Sequence, residues 1–258
     1  VKPVDSAGSK GVTKVEKKES LKEAIEIALE SSISKHFIIE DFLDKVGAQS
    51  SADIFSVEGK LVYSAYSDQL FDKDAANPYT PAIEIWPSSM PQEFQDDLTE
   101  QLQRLITLLG MKTGIYNVES RVCSDGKAYI MEVSPRGGGN RIAELQDMAT
   151  GQKLIKNEIL KALNMPLDHI TAPKYDGVWC NYILHSSHAG ILETVEIDDS
   201  FRQQYIKDEG LIVKKGDAIH PFTGANTSLG TLFLRAENRK ELDTIIGSID
   251  DFVKIKLV

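Results

Sequence analysis

The chain has 258 residues, of which 41% are hydrophobic and 26% charged, and a formal net charge of −10. That length supports a real core, in one large domain or two to three small ones. Acidic and basic residues are interspersed, which excludes the basic footprint that nucleic-acid binding needs but leaves room for a small polyanion. Two cysteines, Cys123 and Cys180, make no disulfide framework and point to a reducing, cytoplasmic setting. Apolar runs fall short of the roughly 18–20 residues that span a bilayer, so no membrane partner is expected. The sequence opens at Val1-Lys2-Pro3 without Met, in what reads as the middle of a strand, and is taken as a fragment.

Ser20-Leu21-Lys22-Glu23 has the form of a capping box, and Ala24, Ile25, Ala28 and Leu29 behind it form an apolar stripe, so a helix is expected over 20–32. His36 to Ile39 reads as a buried strand ending at Glu40. Residues 53–67 alternate around Glu58-Gly59, a hairpin turn. Residues 68–90 hold three of the nine prolines and show no period, which predicts a long loop. A helix starts at Pro91 with Phe94, Leu98, Leu102, Leu105 and Leu109 as its buried stripe, and Gly110 ends it. A second hairpin is expected over 115–134 around Asp125-Gly126, then helices near 140–149 and 151–164. From 176 onward the pattern is two strands, a short helix, further strands, one helix over 237–252 and a final strand.

The second hairpin carries the most chemistry. A two-residue turn at Asp125-Gly126 sets Ser124 opposite Lys127 and Glu119 opposite Glu132, with Cβ atoms about 4.5–5.5 Å apart. Like charges so placed repel unless a cation lies between them, and hard carboxylate oxygens suit Mg²⁺ carrying a phosphate. Asn117 and Arg121 share the face of Glu119, and Ser134 and Arg136 that of Glu132. Two readings stand together: a metal and phosphate site, or a solvated face whose arginines neutralise the acids. A three-residue loop would break the register.

Two glycine-rich segments add weaker signals. Asp5 to Val12 is a Ser/Gly loop, which can turn backbone amides toward phosphate or act as a linker. Pro135-Arg136-Gly137-Gly138-Gly139-Asn140-Arg141 lets a backbone approach a ligand closely, or serves as a plain strand-to-helix turn. His185-Ser186-Ser187-His188 lacks ligand partners in spacing and reads as a strand end. Cys180 reads as core, Cys123 as an exposed thiol beside the turn, and Trp86 as a pin for the proline-rich loop.

Lys2-Pro3 with its Ser/Gly loop, Ile38-Ile39-Glu40-Asp41-Phe42-Leu43, Asn117-Val118-Glu119-Ser120-Arg121 and Met131-Glu132-Val133-Ser134-Pro135-Arg136 together resemble the ATP-grasp superfamily. The resemblance covers residues 1 to about 165 and is greatest to the carbamoyl-phosphate-synthetase-like and L-amino-acid ligase branches. It implies an α+β fold whose antiparallel sheets clamp ATP, with a C-terminal α/β portion. Its parts would be a partial lid and hinge over 1–45, a central catalytic sheet over 46–173 and the remainder over 174–258.

The same resemblance implies roles. Lys2 would grip phosphate beneath a mobile loop containing Ser6, Gly8, Ser9 and Gly11. Glu40, with the backbone at Asp41 and Leu43, would meet adenine. Glu119 and Glu132 would hold Mg²⁺, or Mn²⁺ in its place. Arg136, with Ser134 and Asn140, would serve the transferring phosphoryl group and acceptor pocket. Many relatives carry Asn where this chain has Ser134, and the ribose contact falls to Asp44 or Gln49, neither a clean match. The implied activity is a carbon–nitrogen ligase joining small-molecule carboxylate and amine substrates through an acyl phosphate, with a homo-oligomer compatible. The alternative is a non-catalytic nucleotide-binding module.

Overall fold

Local signals set most elements of this computed structural model, which describes residues 1–6 and 8–258. Strand β1 (Lys2–Pro3) pairs with β2 (Phe37–Ile38) as a two-stranded ribbon, and helix α1 (Leu21–Ser31) lies between them in sequence. The capping box at Ser20 does not form. A 3-10 turn over Lys18–Ser20 puts Ser20 already in the helical region, and its side chain makes no cap bond. Nor is the segment before Glu40 buried: Ile38 and Ile39 are exposed on a ribbon with no sheet behind it.

Strands β3 (Lys45–Val57) and β4 (Lys60–Tyr66) form the expected hairpin. Glu58 and Gly59 both take positive φ, 50° and 83°, the twist that a two-residue turn between antiparallel strands requires. The long loop does not hold. Residues 68–90 contain β5 (Asp68–Phe71) and β6 (Pro81–Trp86), both in the middle of the main sheet. Pro81 opens β6, where its missing N–H costs no central ladder bond. Ala82, Ile83, Glu84, Ile85 and Trp86 are covered on both faces, which hides the period-2 pattern. Trp86 is therefore core rather than a pin, and its indole donates to the Ala65 carbonyl at 3.1 Å.

Helix α2 (Gln92–Leu108) buries Leu98, Leu102 and Ile106, while Leu109 is exposed past its end and Pro91 caps it from outside. Burying each of these side chains is worth about 1.5–3 kcal/mol. Strands β7 (Gly114–Cys123) and β8 (Ala128–Ser134) make the second hairpin, followed by α3 (Ile142–Thr150) and α4 (Leu154–Ala162). The C-terminal region runs β9 (Val178–Leu184), β10 (Gly190–Ile197), α5 (Asp199–Tyr205), β11 (Ile206–Leu211), β12 (Ala218–Ile219) and β13 (Gly230–Ala236). It closes with α6 (Arg239–Gly247), α7 (Ile249–Phe252) and β14 (Val253–Leu257). The single helix expected over 237–252 is thus two, separated at Ser248, whose φ of −125° leaves the helical region.

Among the described residues nine strands form one antiparallel sheet in the order β11-β13-β9-β6-β5-β3-β7-β8, with β4 beside β3. Strands β12, β10 and β14 make a smaller one. Behind the large sheet, α2 packs on Ala52, Ile54 and Val118, and the C-terminal helices pack on Ile85, Cys180, Leu232 and Leu234. In front, α3 and α4 cover Phe55, Tyr63, Ile115, Trp179 and Phe233. Beyond that apolar end the front face turns polar, and the site lies there. No helix among the described residues is long and apolar enough to cross a membrane.

Candidate active site

The β7–β8 hairpin brings Glu119 and Glu132 directly opposite each other, but not by the expected route. Cys123 N–H donates to the Lys127 carbonyl at 2.9 Å, so the loop has three residues and Ser124 does not face Lys127. Near the turn Val122 pairs with Ala128 and Ser120 with Ile130, one residue off the expected register. A β-bulge at Met131 then restores the alignment, setting Glu119 against Glu132 and Asn117 against Ser134. Burial first, and the Glu132 charge second, raise the Glu119 pKa. Ser134 Oγ donates to Glu132 at 2.9 Å. Two opposed carboxylates that repel each other fit a divalent cation, whose charge removes that conflict.

The same face also carries Asp53, Gln69, Glu84 and Asn181, all buried, which the sequence did not mark as functional. One register row crosses eight strands: Tyr129, Arg121, Gln49, Gln69, Glu84, Asn181, Phe233 and Asp208. Arg121 donates to the Gln49 side-chain carbonyl and, at 2.7 Å, to the Leu43 carbonyl. Gln49 donates on to Gln69 at 2.8 Å, and Gln69 hydrogen-bonds Glu84. Gln49 is thus engaged on both sides of its amide. Glu84 is 2% exposed, and burial first, then Asp53, push its pKa up to about 8. Asp53 is wholly buried, and burial raises it to about 6 against the pull of Asn117, Gly138 and Arg136.

The glycine turn crosses this row. Gly138 N–H donates to Asp53 Oδ1 at 2.8 Å, and the Asn140 carbonyl accepts from Asn181 Nδ2 at 2.6 Å. A Cβ on Gly138 would lie 2.6 Å from Ile142 Cδ1 and 2.9 Å from Asn117 Nδ2, so the turn sits as low as glycine allows. Arg136 is exposed and donates to the Gly137 carbonyl at 2.9 Å. Asn140 takes a positive φ of 51° and contributes its carbonyl. A cavity of about 350 Å³ opens beside this turn, walled by Ile115, Ala143 and Ile155 and rimmed by Arg141, Glu144 and Glu158.

The remaining sequence-predicted residues lie around the ribbon. Lys2 Nζ is 2.7 Å from Glu40, so the expected phosphate and adenine contacts neutralise each other in this state. Gly8, Ser9 and Gly11 have positive φ, and Ser9 Oγ donates to the Tyr79 carbonyl at 3.4 Å. Ser6 lies in the same loop, and Ala7 within it falls outside the described residues. Asp41 and Leu43 belong to the segment leading into β3. Cys123 is buried, not exposed, and Cys180 is core. His185 Nε2 meets Asp72 at 3.1 Å and its ring stacks on Phe222, as a strand end would.

The family description "ATP-grasp domain" matches residues 1–144, more than half of the chain. The chain belongs to the ATP-grasp family. A D-alanine–D-alanine ligase from Parabacteroides distasonis is 29% identical over 144 residues, covering 54% of this chain and 42% of that one. The crystal structure of an L-amino acid ligase from Bacillus licheniformis superposes with a TM-score of 0.76 at 20% identity, over 96% of this chain and 62% of that chain. A phosphoribosylglycinamide synthetase from Anaerococcus prevotii gives 0.71 at 16% identity, over 96% and 63%. These structures share the ATP-grasp fold, helices with antiparallel sheets, and the relatives are ATP-grasp ligases. The chain spans half or less of the length of the curated ATP-grasp relatives it matches.

Proposed function

We propose that the chain is the ATP-binding and catalytic part of a ligase that joins a small-molecule carboxylate to an amine through an acyl phosphate. The observation that carries this reading is the opposed Glu119–Glu132 pair, in a chain of the ATP-grasp family. A Mg²⁺ or Mn²⁺ ion between these carboxylates would neutralise charge on the nucleotide phosphates. The Ser6–Gly11 loop offers backbone amides to the same phosphates, and Lys2 supplies countercharge once it leaves Glu40. Glu40 and the backbone of Asp41 and Leu43 then meet adenine. Arg136, with Ser134 beside it, faces the transferring phosphoryl group, and Asn140 lines the acceptor side.

In the first step an oxygen of the substrate carboxylate attacks the γ-phosphorus, and ADP departs. In the second the amine nitrogen attacks the acyl carbon, phosphate departs with the bond electrons, and the nitrogen loses a proton. The chain's task is positioning and charge stabilisation in a site from which water is excluded. Calorimetric titration of MgATP, with a magnesium-free control and Glu132→Ala, tests the reading. Saturable binding that requires the metal and weakens at least about tenfold in the variant is expected. Equal affinity with and without Glu132 sinks it.

A further inference from the structure

Residues 39–44 join the β1–β2 ribbon to the main sheet and belong to no helix or strand. Strand β3 then departs from its partner almost at once. Lys45 pairs with Cys123 and Gln49 with Arg121, so Val46, Gly47 and Ala48 stand opposite Val122 alone. Gly47 takes a φ of 75° within this bulge, and Val46 is exposed. Ladder bonds therefore give the hinge little hold on the sheet.

Two carbonyls of the hinge are held instead by the β7–β8 hairpin. Arg121 donates through Nη1 to the Leu43 carbonyl at 2.7 Å, and the Ser124 N–H donates to the Asp44 carbonyl at 3.0 Å. Through Nη2 Arg121 also donates to the Gln49 side chain. One planar guanidinium thus spans the bulge, with an anchor on each side of it. Arg121 lies two residues along β7 from Glu119, and its charge acts on that carboxylate. The position is costly: Arg121 is half-buried, burial lowers its pKa, and its Nε is buried without an acceptor. A buried unpaired donor costs about 1–3 kcal/mol, so stability alone does not account for an arginine here.

We propose that Arg121 is a positioning residue, which holds the Leu43 carbonyl at a fixed offset from the Glu119–Glu132 pair and so sets the span between the base end and the metal end of a nucleotide site. The role for the nucleotide rests on the ligase reading. The bridge from hairpin to hinge does not. Lysine cannot stand in for Arg121, because its ammonium keeps the charge beside Glu119 but lacks the planar fork that serves Leu43 and Gln49 together. Arg121→Lys therefore separates geometry from charge.

The test is calorimetric titration of the 258-residue chain with MgATP and MgGTP, which share phosphates and metal and differ in the base. The wild type should prefer MgATP. Arg121→Lys should weaken MgATP at least about tenfold, the worth of one charge-assisted hydrogen bond, and MgGTP less than about twofold. Arg121→Gln serves if that variant does not fold. Equal loss for both nucleotides, no loss for either, or a wild type indifferent to the base overturns the proposal. A second readout needs no nucleotide. The Ser124 amide is protected by the hinge carbonyl of Asp44, so its hydrogen exchange should quicken at least about tenfold in Arg121→Lys while that of Val118, inside the β3–β7 ladder, stays unchanged. Unchanged Ser124 exchange sinks the bridge itself. Failure of the wild type to bind either nucleotide removes the ligase reading, and the exchange of Ser124 still decides whether Arg121 holds the hinge.

Discussion

Replacing Glu84 by Gln should change how stability depends on pH, in a direction opposite to that of most carboxylates. Burial raises Glu84 from its ordinary 4.5 to about 8. Between those values the unfolded chain has lost a proton that the folded chain keeps, so stability falls as pH rises, by about 1.4 kcal/mol per unit at most. From pH 5 to pH 8 the loss amounts to roughly 3–4 kcal/mol, since part of the range lies on the shoulders of the two titrations. The substituted glutamine has no proton to lose, and its amide can donate to Asn181 Oδ1. The variant should match the wild type near pH 5 and exceed it by roughly that amount near pH 8. Asp53 is present in both chains and cancels to first order. Urea unfolding at four pH values, compared at equal m, reads the difference directly. Two curves running parallel across the range would refute the account of Glu84 as a buried, proton-holding acid.

Other perturbations have equally definite outcomes. Asp68 is 2% exposed and accepts from Arg239 at 2.5 Å as well as from Ser88 and Ser89. Asp68→Asn should therefore cost about 3–5 kcal/mol in chemical denaturation. The Asp68 pKa is lowered: burial opposes the shift, and the bonds from Ser89, Arg239 and Ser88 outweigh it. Its contribution is thus present above its ordinary value and lost as pH falls below it. Gly138→Ala should push the turn off Asp53, because its Cβ meets Ile142 and Asn117 at 2.6 and 2.9 Å; loss of protection of the Gly138 amide in hydrogen exchange is the readout. Leu98→Ala, at the centre of α2 and fully buried, should cost about 2–5 kcal/mol, measured by thermal unfolding.

Elements with their own local signal were legible in the sequence. The Glu58-Gly59 turn demands positive φ, and α2 shows a clear apolar stripe, so both lie where the pattern puts them. Strands β5 and β6 were not legible, because apolar residues on both faces leave no alternation and the prolines beside them look like loop markers. Glu84 sits between Ile83 and Ile85, where an isolated acid among β-branched residues was the available sign of a buried polar position. Asp53, between Ala52 and Ile54, carried the same sign. Burial of these acids comes from the glycine turn and from neighbouring strands that are distant in sequence, so no local window contains it. The Lys2–Glu40 contact likewise depends on how the ribbon pairs.

The bulge at Met131 separates two properties that a plain hairpin would tie together. The tip of β7–β8 can run one residue out of step while the acidic pair stays aligned, because the correction is made in the strand between them. Changes in the length or sequence of the Ser124–Gly126 tip are thereby insulated from the spacing of Glu119 and Glu132. The position that cannot change length is Met131. Removing it would carry the mismatch inward and turn Glu132 to the opposite side of the sheet from its partner.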